Sequence, residues 1–426
     1  MASRFLKRRF TTNLLGWPTD VTSVDPNPAS CHNATVHTII VWIPGNPGQY
    51  DWYNSDFLEI LSALGHGYAI RSLSHAGHGL MVSIGENCGA DHSSSTMDIE
   101  GHCHRCRADN EETNGPSPRI PWTVKGQVLH KIAFVDSLLR EITGGDRYSE
   151  HERKQTCRFT PNPRFIFIGH SFGCHIIQRM CVLRPDILER TTGFLFLMPY
   201  IRTKPLFVTE KKKLDVGGSY PEHLILVATK LSQLLKFFPE PIVRGLIRKG
   251  LQGDSSGNDD GGIDGESIAN VTTKLLCNPL YPRNFFELGT EEIRDIPNEI
   301  DTTALRLLSS RKLLLPQNKT SMGTGSQRDV AQKRRIFILY AGDNDQWCPS
   351  FHGEEINALQ SVKVLPASIE RTKMSGLRHD YVCQDPAARS RVNNWCISNI
   401  LKMTSDSTRA HANKLSRTPD VLSSKL

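Results

Sequence analysis

The 426-residue sequence contains no run of about 18 consecutive apolar residues, which argues against a simple membrane-crossing helix. Membrane contact, if the chain makes any, is then expected at a surface. Dense cysteine spacing is also missing: eleven cysteines, an odd number, are spread along the chain, which argues against a disulfide scaffold and fits free thiols in a reducing compartment. The first residues lack the continuous apolar stretch of a secretory signal, because Phe10-Thr-Thr-Asn-Leu-Leu-Gly-Trp17 is interrupted. They lack acids up to Asp20 as well and carry arginines, so a mitochondrial presequence stays open as an alternative. A phosphate-binding stripe is absent. The net charge of +7 sits mostly in Arg4, Lys7, Arg8 and Arg9 and in the tail after Thr404, leaving about +1 for the rest, so no nucleic-acid partner is expected. No internal repeat is found.

What the chain does have is an α/β rhythm. Short apolar, β-branched or aromatic runs end in turn residues and give way to helical patterns, as in a mostly parallel sheet. Four runs stand out: Val36–Ile43 before Pro44-Gly-Asn-Pro-Gly48, Arg164–Ile168 before Gly169-His-Ser-Phe-Gly173, Gly193–Leu197 before Met198-Pro-Tyr200, and Arg335–Tyr340 before Ala341-Gly-Asp-Asn-Asp345. Each turn lies at the carboxyl end of its strand, where open α/β sheets place their sites. Polar stretches at 85–119, 252–266 and 316–334 read as surface insertions. The organisation expected is a basic N-terminal segment (1–35), a first core part (36–200), a largely helical cap (201–334), a second core part (335–402) and a tail (403–426). The span between the third and fourth runs is too long for a loop and must be an inserted cap.

Gly169-His-Ser-Phe-Gly173 fits a nucleophile elbow, where small residues two before and two after the serine allow a sharp turn from strand to helix. Alone the pattern is weak. Its context strengthens it, since it follows an apolar strand and opens Cys174–Leu183, a helical stretch ended by Arg184-Pro185. A hydroxyl is a poor nucleophile at neutral pH and needs an imidazole base oriented by a carboxylate. In the chain order Ser, acid, His, the candidates are Ser171, Asp345 and His379, with Asp343 as rival acid two residues away. His379 follows the next candidate strand, Val362–Leu365. His352 lies too close to Asp345 to be the base, His75 and His78 precede the serine and are expected to shape a turn, and His175 is expected to be packed or solvated. The oxyanion donors would be the amides of Phe172 and Asn46; Pro44-Gly-Asn-Pro-Gly48 is also readable as a tight turn chosen for its backbone angles, and the two readings are compatible. No metal or organic cofactor is required. Cys88, His92, His102, Cys103, His104 and Cys106 include one Cys-x-x-Cys, but a second ligand pair at regular spacing is missing, which argues against zinc.

Together Ile43-Pro-Gly-Asn-Pro-Gly48, Gly126–Phe134, Gly169-His-Ser-Phe-Gly173, Leu246-Ile-Arg-Lys-Gly-Leu251, Tyr340–Pro349 and Leu377-Arg-His-Asp380 resemble the lipid droplet-associated hydrolases, from about Ile39 to about Trp395. The resemblance implies an α/β-hydrolase fold with a mostly parallel central sheet and an inserted helical cap. It also implies a lipid-droplet location, action on sterol esters or acylglycerols, and triad roles for Ser171, Asp345 and His379. The chain departs from the family pattern at Cys174-His175, which leaves the shape of the acyl pocket open.

Within the cap, residues 223–250 read as an amphipathic helical hairpin interrupted by Pro239 and Pro241, with Lys230, Lys236, Arg244, Arg248 and Lys249 opposite the apolar side. That apolar side is suited to lying on a lipid surface or to covering the active site, and the two roles are compatible. The chain ends in Ser424-Lys-Leu426, the tripeptide read by the peroxisomal import receptor, so a peroxisome or related organelle competes with the droplet surface. Two readings rival a lipid esterase: a catalytically silent droplet- or membrane-binding protein on a hydrolase scaffold, and a hydrolase of short-chain esters or thioesters.

Overall fold

The computed structural model describes residues 4–30, 34–79, 123–143, 158–200, 202, 222–235, 237–252, 263–278, 281–310, 334–342, 345, 348–349 and 351–415. Eight strands form one sheet: β1 (Phe5–Leu14), β2 (Trp17–Pro26), β3 (Thr35–Ile43), β4 (Tyr68–Leu73), β5 (Arg158–His170), β6 (Thr191–Leu197), β7 (Arg335–Tyr340) and β8 (Ile369–Lys373). Their spatial order is β1-β2-β4-β3-β5-β6-β7-β8, and β2 alone runs against its neighbours. The central strands are continuous hydrophobic runs, as strands covered on both faces must be. Ile39–Ile43, Phe165–Ile168, Phe194–Leu197 and Ile336–Leu339 are all buried. Helix α1 (Asn54–Leu64) packs with the long α10 (Pro386–Leu415), while α2 (Val124–Ile142), α3 (Phe172–Leu183) and α8 (Thr302–Ser309) form a second packed group. Between β6 and β7 lie the cap helices α4 (Glu222–Leu235), α5 (Glu240–Gln252), α6 (Ile263–Leu276) and α7 (Tyr281–Asp295), and α9 (Phe351–Ser361) precedes β8.

Three expectations need correction. The sheet does not begin near residue 36, because 5–14 and 17–26 form a hairpin on its edge, in register from Phe5↔Pro26 to Leu14↔Trp17. Its two-residue turn, Leu15-Gly16, takes positive φ at both positions (55° and 84°), the geometry that matches strand twist. The basic residues read as a terminal segment are tied into this structure: Arg8 pairs with Asp25 at 3.1 Å and Arg9 with Asp51 at 2.6 Å. The half-polar edge strand and the Leu-Gly turn, in place of Asn-Gly, hid the hairpin from pattern reading. The strand expected at Val362–Leu365 is instead a turn after α9, with Lys363 at φ 60° and Val362 exposed, and the true edge strand is Ile369–Lys373.

The hairpin also differs from its amphipathic reading. Leu226, Val227, Leu231 and Leu234 of α4, Phe237 and Phe238 of the turn, and Ile242 and Leu246 of α5 are exposed, whereas Ser232 and Val243 are buried. Lys230, one helical turn from Leu226 and Leu234, lies on this same outward face rather than opposite it. Lys236 and the stretch 85–119, with its cysteines and histidines, lie outside the described residues, as do the tail tripeptide and Asp343.

Candidate active site

Strand β5 runs into α3 through Ser171, which sits at φ 51°, ψ −120°, a conformation that a residue with a side chain rarely adopts. The turn closes because its flanking positions are glycines. A Cβ on Gly169 would meet the Cys174 amide nitrogen at 2.8 Å, and one on Gly173 would collide with the Ile43 carbonyl oxygen. Two backbone bonds hold the turn to the sheet, Ser171 N–H to Leu197 O (2.9 Å) and Tyr200 N–H to Ser171 O (3.1 Å). The side chain is thereby projected from the carboxyl end of the central strand.

The structure brings Ser171, Asp345 and His379 together from the carboxyl ends of β5, β7 and β8. His379 Nε2 lies 2.8 Å from Ser171 Oγ and its Nδ1 lies 3.0 Å from Asp345 Oδ2. A carboxylate accepts, so Nδ1 carries the hydrogen and Nε2 is left to accept the serine proton. The other Asp345 oxygen accepts the Cys348 amide at 2.9 Å, and the carboxylate is fully buried while the His379 ring is partly exposed. The acid is thus clamped from two sides, which fixes the imidazole's tautomer and orientation.

The turn after β3 lies against the serine. A Cβ on Gly45 would stand 2.8 Å from Ser171 Cβ, so only glycine lets this backbone pass so close. Phe172, the first residue of α3, contributes a first-turn amide with no intrahelical acceptor. The Asn46 side chain donates to Phe285 O of the cap at 3.4 Å. Two histidines brace the same turn, as their positions suggested: His75 N–H donates to Gly48 O at 2.8 Å, and His78 Nδ1 donates to Pro47 O at 2.6 Å. His75 also stacks edge-on against Phe172. Burial pushes His78 down to about 4 and His75 well below the usual imidazole range, so both are neutral. His175 is buried and stacked on Phe172, and burial, with Arg179 nearby, holds it down at about 3. His352 is buried against Phe351 and takes no part in the triad geometry.

Two groups near the site carry no sequence signal. His170, at the variable position before the serine, and Tyr53 are joined by a 2.7 Å hydrogen bond beneath the triad, and nothing in the motif specifies the contact. Glu292 of α7 is buried beside Asn46, and burial pushes its carboxyl well above the usual range, the Asn46 contact opposing. Helix α7 also donates from Asn284 to Gly77 O at 2.5 Å, so the cap rests on both loops that frame the serine. Among the described residues no group of three or more His, Cys, Asp or Glu side chains is arranged to hold a metal ion.

A family model for lipid-droplet associated hydrolases matches residues 36–382. The chain is 22% identical over 370 residues to a lipid droplet-associated hydrolase of Gallus gallus, covering 85% of each. It is likewise 22% identical over 325 residues to that of Homo sapiens (75% of this chain, 73% of the relative) and 21% identical over 368 residues to that of Dictyostelium discoideum (85% and 88%). Among solved structures, a peroxisomal alpha-beta-hydrolase of Saccharomyces cerevisiae superimposes with a TM-score of 0.50 at 11% identity, covering 94% of this chain and 90% of that one. With the sheet order and helix placement above, this chain has the α/β-hydrolase fold and belongs to the lipid-droplet associated hydrolase family.

Proposed function

We propose that this protein is a serine hydrolase that cleaves carboxylic esters of lipids, sterol esters or acylglycerols, at a lipid surface. The observation that carries the reading is the continuous hydrogen-bonded line from Ser171 through His379 to Asp345, with the serine held in a strained elbow. In this reading Ser171 Oγ attacks the ester carbonyl as His379 Nε2 takes its proton, and Asp345 stabilises the imidazolium formed at that moment. The amides of Phe172 and Asn46 receive the oxyanion. His379 then returns the proton to the departing alcohol, and water, activated by the same imidazole, releases the acyl group. The reaction needs no metal or organic cofactor.

The lipid surface rests on two supports. The relatives carry lipid droplet in their names, and α4–α5 turns a row of large apolar side chains outward, with Phe237 84% exposed. Fully burying such a side chain in lipid contributes about 1.5–3 kcal/mol, so several together suffice for adsorption. Ser424, Lys425 and Leu426 support the competing location, a peroxisome reached through the import receptor. The exposed hairpin also favours a second reading, a silent surface-binding protein that keeps the hydrolase scaffold.

A fluorescent fluorophosphonate, followed by p-nitrophenyl esters of increasing chain length, separates these readings. Labelling of wild type but not Ser171→Ala, with turnover lost in His379→Ala and Asp345→Asn, supports the esterase and reveals its acyl preference. A folded wild type that stays unlabelled leaves the surface-binding reading. Preference for the shortest esters points away from lipids.

A further inference from the structure

His170 is one residue before the nucleophile, and its ring is buried. Nε2 lies 2.9 Å from the main-chain carbonyl oxygen of His379, and Nδ1 lies 2.7 Å from the Tyr53 hydroxyl. A carbonyl can only accept, so the ring hydrogen is on Nε2; Nδ1 is therefore bare, and the hydroxyl donates to it. The same ring stands close to the turn that touches Ser171, since a Cβ on Gly45 would lie 3.4 Å from His170 Nδ1. Each proton in this line has one permissible place: Tyr53 Oη–H to His170 Nδ1, and His170 Nε2–H to His379 O.

From this line of bonds, and resting on the esterase reading above, we propose that His170 and Tyr53 are positioning residues, a buried strut that sets the height of the His379 imidazole against Ser171. The position that needs support is evident from the chain. His379 lies in the irregular segment after β8, between Gly376 at φ 72° and the short helical turn beginning at Tyr381, so regular structure does not hold its backbone. Among the described residues His170 supplies the hydrogen bond to the His379 carbonyl. The strut is also laterally confined. The His170 ring meets Tyr381 edge-on at 5.4 Å and Tyr53 edge-on at 5.9 Å, and it lies 5.4 Å from the His379 ring. Burial and the adjoining His379 hold His170 down at about 3. It therefore stays neutral in the one tautomer the line requires and adds no positive charge beside an imidazole that must itself become cationic.

Two substitutions of similar size separate positioning from packing. A glutamine amide nitrogen reaches the place of Nε2 and can still donate to the His379 carbonyl, whereas an asparagine amide reaches only the depth of Nδ1 and can meet Tyr53 alone. Displacement of a base by about 1 Å costs about 10²-fold in rate, so kcat for a p-nitrophenyl ester is expected to fall by about that factor in His170→Asn, with KM little changed. His170→Gln is expected to stay within about 5-fold of wild type, and Tyr53→Phe, which loses only the tautomer lock, within about 10-fold. The melting temperature of each variant shows that it is folded. A readout independent of turnover is the downfield proton resonance of His379 Nδ1–H on Asp345, expected in wild type and His170→Gln and lost or shifted upfield in His170→Asn. Equal behaviour of the Asn and Gln variants, a rate loss that follows melting temperature, or a wild type without the downfield resonance overturns the proposal. If the resonance separates the variants while wild type hydrolyses no ester, the strut stands and the esterase reading alone falls.

Discussion

Two phenylalanines in this molecule live in opposite surroundings. Phe167 on β5 is fully buried between layers, with Phe194 stacked 6.1 Å away, whereas Phe237 at the tip of α4–α5 is 84% exposed. The contrast extends to their neighbourhoods: the sheet places its isoleucines, leucines and phenylalanines out of water on both faces, and the hairpin turns the same residue types toward it. The sheet's apolar surface is satisfied within the fold. The hairpin's is not, and an exposed apolar patch on a folded protein marks a surface that meets something else. In the proposed function, chemistry and adsorption fall to regions that tolerate different changes.

Acid is the strongest way to strain one region and not the other. His75, His78, His130, His170, His175 and His352 are all held below the ordinary imidazole value, burial being the leading cause in each, and all belong to the core rather than to the hairpin. The unfolded chain protonates them near pH 6.5 and the folded one does not. Their contribution is therefore present above that pH and lost as pH falls toward the folded values, at up to about 1.4 kcal/mol per pH unit for each. The melting temperature is expected to drop by about 10 °C or more between pH 7.5 and 5.5. Glu292 has the opposite sign: its raised pKa favours the docked cap at low pH, and that contribution is lost as pH rises through the folded value. Hydrogen exchange in α7 is expected to quicken with pH beyond its intrinsic dependence, and a flat profile would count against a protonated Glu292.

A large-to-small change gives the next effect. Phe167→Ala should cost about 3–5 kcal/mol in denaturant unfolding, because the cavity cannot collapse between the strands. A cost below about 1 kcal/mol would mean that the central layer is less tightly packed than described. In the hairpin, Phe237→Asp with Phe238→Asp should lower partitioning onto phospholipid-coated triolein droplets by about 10²-fold while leaving turnover of a soluble ester unchanged. Parallel loss of both activities would show instead that the hairpin serves the active site. Leu246→Ala, at a 66% exposed position, should move stability by no more than about 0.5 kcal/mol. A larger loss would place that side chain in an internal contact.

Legibility followed the range of the interaction. The elbow was readable because its glycines answer a local demand, a turn in which Ser171 takes φ 51° and a Cβ two residues away has no room. The strands beside it were readable because burial on both faces leaves unbroken apolar runs. The edge is poorly readable: β1 mixes buried and exposed positions, and its arginines read as a basic N-terminal segment because Asp25 and Asp51, which face Arg8 and Arg9 in the fold, are distant in the chain. The strand after α9 is hard to place from sequence because Val362-Lys-Val-Leu365 has strand composition but turns at Lys363. Tyr53, 117 positions from His170, left no local trace of its hydrogen bond.

The sequence by itself determined the sheet's central strands and the sharp turn at Ser171, since each follows from backbone geometry or hydrophobic runs within a few positions, and it offered His379 with Asp345 or Asp343 as candidate partners of the serine. Only the tertiary structure decided that Asp345 and His379 come within hydrogen-bonding reach of one another and of Ser171, that His170 bears on the His379 backbone, and that the apolar row of α4–α5 faces outward. These are meetings between segments far apart in the chain, set by how strands and helices pack, and a linear pattern records which side chains are apolar or reactive without recording what stands across from them.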